Sequence, residues 1–124
     1  MQTINLEGIG EVIIREFDND DREMVQNVST EIVSVPIENT NRVKQETKVK
    51  IGTMNKYTFI LGISKAPFFS TEITAEGVTN EILQKRLIEY KKIDYRIVET
   101  IIPKIADINN IDENEFKNLK KNST

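Results

Sequence analysis

The sequence predicts an α+β protein, with an N-terminal β-hairpin and short strands followed by a mainly helical C-terminal half. Three observations lead there. Short alternating segments occupy the first fifty residues, an apolar run (Tyr57 to Phe69, YTFILGISKAPFF) sits at the middle, and stripes of helical spacing follow it. At 124 residues the length fits a single domain, 1–124, with short strands and one helix over 1–52, a helical part over 53–119 and a frayed tail over 120–124. A chain of this size removes roughly two thirds of its unfolded surface from water, so one core is sustainable.

Ile4 to Leu6 and Glu11 to Arg15 read as two strands joined at Gly8-Ile9-Gly10, where glycine tolerates the positive φ of a tight turn. The same triplet lacks the third glycine of a dinucleotide loop, and no Gly-Lys-Ser/Thr follows. Asp20 and Glu23 have the spacing of a capping box, and Met24, Val28 and Ile32 recur every four residues beside Val25. These predict a helix over 20–33 with that face buried. Pro36 to Asn41 reads as a loop. Val43 to Ile51 alternates, with Val43, Gln45, Thr47, Val49 and Ile51 on one side and charges on the other, as in a half-buried strand.

The central run fits two states. Tyr57, Phe59, Leu61 and Ile63 alternate as a strand paired with 43–51 would, whereas Met54, Tyr57, Leu61 and Ser64 fit a helix capped by Thr53. Pro67 ends either one. Phe68 and Phe69 follow; neighbouring side chains in extended chain point opposite ways, so one is expected to plug the core and the other to meet a partner. A helix is predicted over 79–92, with Leu83, Leu87 and Tyr90 on one face. Asp94 caps a further helix, where Ile97, Ile101, Ile105 and Ile108 form a stripe and Pro103 predicts a kink or break. Any part of that stripe left uncovered is an assembly surface. Asp112 with Glu115, and Ile111 with Phe116, predict a last short helix by capping box and hydrophobic staple.

The chain has no Cys, His or Trp, which removes thiolate nucleophiles, imidazole bases and the usual zinc ligand sets. The acids near position 20 are explained by helix capping, and they lack the spacing of a calcium loop. Ser64-Lys65 lacks the Ser-x-x-Lys spacing of a serine–lysine hydrolase. A net charge of −3 draws the chain to neither nucleic acid nor an anionic membrane. No apolar run approaches the ~20 residues of a membrane span. The first ten residues do not read as a secretory signal, so a cytosol is the expected compartment. The expectation is a protein without catalytic, metal or cofactor residues that acts by binding.

Three stretches carry a family likeness. They are Val12-Ile13-Ile14-Arg15-Glu16 before the acidic helix start, Met54-Asn55-Lys56-Tyr57 running into Gly62-Ile63-Ser64-Lys65-Ala66-Pro67-Phe68, and the closing Ile105-Ala106-Asp107-Ile108-Asn109. In this order, over roughly residues 4 to 110, the chain resembles the tail assembly chaperones of long-tailed bacteriophages and related archaeal viruses. The resemblance favours the helix for the central run. It also implies a protein that shields the apolar helices of a tape measure protein, helps to recruit tail tube subunits, forms a homo-oligomer in some cases, works in the host cytoplasm and is absent from the finished virion. It supplies no catalytic residues. Phe68, Phe69, Ile97, Ile101 and Ile105 are the candidate partner-binding residues. The rival readings are a structural tail completion or neck component and a small intracellular regulator.

Overall fold

The computed structural model describes residues 1–111 and is an α+β fold, so the predicted helix over Asp112 to Leu119 lies outside the described residues. Strands β1 (Gln2–Leu6) and β2 (Gly10–Ile14) form the expected antiparallel hairpin, in register from Gln2↔Ile14 to Leu6↔Gly10. Gly8 turns the chain at φ +78°, and the Ile9 N–H donates to the Leu6 carbonyl at 3.1 Å. Val12 and Ile14 point inward and are fully buried, as the period of two requires.

Helix α1 (Asn19–Ser29) has a capping box, but not the expected one. Asp18 accepts from the Asp21 N–H at 2.8 Å, and Asp21 accepts from the Asp18 N–H at 3.0 Å. The acid run holds overlapping candidates, and the choice is made from outside it: Arg15, at the end of β2, pairs with Asp21 at 2.9 Å. The helix also stops short of the predicted residue 33. Thr30-Glu31-Ile32-Val33 is β-branched apart from Glu31, and such side chains favour the pleated state. Thr30–Pro36 accordingly form strand β3, so Ile32 leaves the predicted helix face and is 72% exposed.

Strand β4 (Val43–Val49) pairs with β3 from Thr30↔Val49 to Pro36↔Val43 as a separate two-stranded ribbon. Its alternation predicts a half-buried strand, yet of its residues only Val49 is even partly covered. It ends before Ile51 because that residue begins α2 (Ile51–Gly62), the helix form of the central run. The N-cap of α2 is Lys50 rather than Thr53, with no side-chain hydrogen bond. Thr58, Phe59, Ile60, Leu61 and Gly62 are all buried. A helix covered on every side shows no apolar periodicity, which is why this run is ambiguous in the sequence.

Directly after α2, strand β5 (Ile63–Lys65) adds to the free edge of β2, giving a three-stranded antiparallel sheet in the order β1-β2-β5. Three residues are too few to show a period, so no sequence signal marks this strand. Helix α3 (Asn80–Tyr90) starts at the expected Thr79, whose hydroxyl accepts from the Ile82 N–H at 3.2 Å. Helix α4 (Tyr95–Ile108) starts at Asp94, which accepts from the Arg96 N–H at 2.9 Å. It runs through Pro103 without a break, and that residue lies on the exposed side.

The core lies where the sheet, α2 and α4 meet. Phe59 stands at its aromatic centre, 5.7 Å from Phe68, 5.8 Å from Phe69 and 5.6 Å from Tyr90 between ring centroids. Gly62 is set by α4: a Cβ there would lie 2.5 Å from Ile105 Cγ2 and 2.7 Å from its Cδ1. At the far end of α4 the buried Asn109 ties the fold together. Its Oδ1 accepts from the Phe17 N–H at 2.6 Å and its Nδ2 donates to the Ile105 carbonyl at 3.0 Å.

Candidate partner-binding cleft

The last turn of α2 ends inside the protein, where its carbonyls have no water to accept from. Two arginines from elsewhere in the chain meet them. Arg15, 46 residues earlier, donates Nη1 to the Leu61 carbonyl at 2.8 Å. Arg86, on α3, is fully buried. Its Nη1 donates to the Ile60 carbonyl at 2.8 Å and also to that of Ile63. Its Nη2 donates to the Ser64 and Thr71 carbonyls, each at 2.9 Å, and Nε to the Thr71 hydroxyl at 2.9 Å. The guanidinium carbon lies 4.5 Å from the centre of the Phe69 ring. All five donors are thereby used, and positive charge sits at the helix end that favours it. Burial first, then the repulsion of Arg15, lowers its pKa to about 10 against the opposing pull of Glu89, so it remains charged at neutral pH.

This arrangement decides what the five candidate residues can do. Phe69, Ile101 and Ile105 belong to the core, the two isoleucines with no exposed surface at all. As partner-binding residues they are corrected to packing residues: Phe69 is held against Arg86, and Ile101 and Ile105 are held by the close approach of α4 to α2 at Gly62. Phe68 and Ile97 are different. Both are half-buried, each packs one side against the core, and both line a cleft of about 550 Å³.

The cleft forms where three connections converge. The β1–β2 turn contributes Gly8 and Ile9, the loop after β5 contributes Pro67 and Phe68, and the α3–α4 junction contributes Ile93 and Ile97. Glu89, Lys92 and Asp94 complete its lining. Pro67 packs against Gly10, where a Cβ would lie 3.3 Å from the proline ring. Asp94 has a carboxyl pKa below its ordinary value, chiefly because the Arg96 N–H donates to it. Glu89 accepts from the Ser70 N–H through Oε2 at 3.0 Å, while its Oε1 is buried with no partner among the described residues. An apolar floor with a few charges of both signs and one free acceptor suits a protein surface better than a small charged substrate.

Sequence reasoning points to Phe68 and Ile97 but not to the residues that join them. Ile9 sits in a turn and Ile93 between two helices, and neither position has a period to read. Among the described residues no cluster of acids could hold a metal ion, and no helix is long and apolar enough to cross a membrane. Compared with known protein families, with curated proteins and with solved structures, the chain matches none.

Proposed function

We propose that the chain is a viral tail assembly chaperone that seats an apolar helix of the tape measure protein in the cleft beside Phe68 and Ile97. The observation that carries this reading is the cleft itself: half-exposed apolar side chains from three separate connections, framed by charges of both signs. A tape measure protein is a long apolar helix until tube subunits surround it, and exposed apolar surface aggregates unless it is covered. A cleft of about 550 Å³ holds only a short part of such a helix. Binding is then modest for each copy and accumulates over many copies along the partner, which keeps it reversible when tube protein arrives. The site of action is the host cytoplasm, before the virion is complete.

Co-expression with the long helical protein encoded beside it tests this. The chaperone is expected to keep that protein soluble and to be missing from purified particles. Ile97→Lys, and independently Ile9→Lys at the hairpin turn, should reduce the soluble partner at least about tenfold while leaving the circular dichroism of the chain unchanged, since each places a charge on a surface that must be desolvated. Stoichiometric recovery of the chain in finished particles would instead establish it as a structural tail component.

A further inference from the structure

We infer that the uncharged face of the β3–β4 ribbon, together with the recess at its base, is where two copies of this chain associate about a two-fold axis. Directly opposed residues of an antiparallel pair share a face, and the faces alternate along the strand. Thr30↔Val49, Ile32↔Thr47, Ser34↔Gln45 and Pro36↔Val43 therefore make one face, which has no charged residue. The other face carries Glu31↔Lys48, Val33↔Glu46 and Val35↔Lys44 and is suited to water. On the uncharged face Ile32 is 72% exposed and Val43 58% exposed.

Thr30 and Val49, the base of that face, also line a recess of about 380 Å³ with Phe17, Val25, Met54 and Ile111. One continuous surface thus has an apolar projection towards the ribbon tip and an apolar recess at its root, about 20 Å apart at the usual rise of a strand. A two-fold axis through the middle of the ribbon sets the tip of each copy against the recess of the other, so the surface complements itself. A charged partner would be desolvated there without gaining an ion pair, whereas a second copy buries no unpaired charge. A two-stranded ribbon is also marginal on its own and gains from stacking on another. Two faces and two recesses amount to on the order of 1,000 Å², the lower edge of specific interfaces, so the dimer should depend on concentration. The inference does not depend on the chaperone reading.

Sedimentation of the full chain from about 1 to about 500 µM, the range over which an interface this small titrates, should show a reversible dimer. Ile32→Glu, at a residue that supports little else, should weaken association at least about tenfold with unchanged circular dichroism. The chain has no cysteine, so Val43→Cys protein mixed with Met54→Cys protein should cross-link to each other well above the yield of either alone. A monomer at every concentration overturns the inference, whether residues 112–124 or another protein then prove to cover the face. A dimer that Ile32→Glu leaves intact also overturns it.

Discussion

At the scale of single residues, Gly62 and Arg86 determine how the centre of the molecule closes. Gly62→Ala places a methyl group 2.5 Å from a branched, fully buried isoleucine that has no room to withdraw. Overpacking of this kind costs about 1–3 kcal/mol, and urea denaturation should show that loss with little change in the slope of the transition. In the sequence Gly62 looks like a flaw for helix and strand alike, because the residue it accommodates, Ile105, lies far along the chain. Arg86 is more legible than it seems at first. Leu83, Arg86, Leu87 and Tyr90 have the spacing of one helix face, and an arginine within an apolar face signals a buried acceptor. What the sequence does not show is that the acceptors are main-chain carbonyls at the end of another helix and just beyond it.

At the scale of elements, local chemistry is legible wherever the neighbours of a residue in sequence decide its state. The hairpin turn at Gly8 and the caps at Thr79 and Asp94 are of this kind. Elements decided by pairing are not: β3 needs β4 to compete with a continued α1, and β5 exists only as an addition to β2. The cap of α1 makes a prediction about acid. Asp18 has a pKa below its ordinary 3.8, chiefly because it accepts the Asp21 N–H. A carboxyl whose pKa is lower folded than unfolded adds stability above the unfolded value, and that stability is lost as pH falls through the folded value. Helix α1 should therefore weaken below about pH 4. Asp18→Asn, which keeps a capping oxygen without the charge, should make this part of the acid transition shallower in a circular dichroism titration.

At the scale of the whole molecule, the structure has one consolidated body and one outlying ribbon. The body is closed by contacts between distant positions, with Asn109 reaching the Phe17 N–H across 92 residues. The ribbon meets the rest chiefly at its base, where the Lys50 N–H donates to the Ser29 carbonyl at 2.6 Å. Regions with few buried apolar contacts open without global unfolding. Amide hydrogen exchange of dilute protein should therefore show β3 and β4 exchanging at least about a hundredfold faster than β2, α2 and α4. Equal protection in both would mean that the ribbon unfolds only with the body. The division is invisible in the sequence, since the alternation of Val43 to Val49 is the same in a strand that packs on a core and in one that does not.

The two arginines at the end of α2 also bear on how the chain is made. During synthesis Arg15 leaves the ribosome well before the carbonyls it will meet, and Arg86 follows them. Until position 86 has emerged, the oxygens of residues 60, 63 and 64 have no partner but water or their own neighbours. The first half of the polypeptide is thus obliged to wait, and a chain stopped before that point should remain uncommitted, exposed to proteases and recoverable only by the arrival of the remainder.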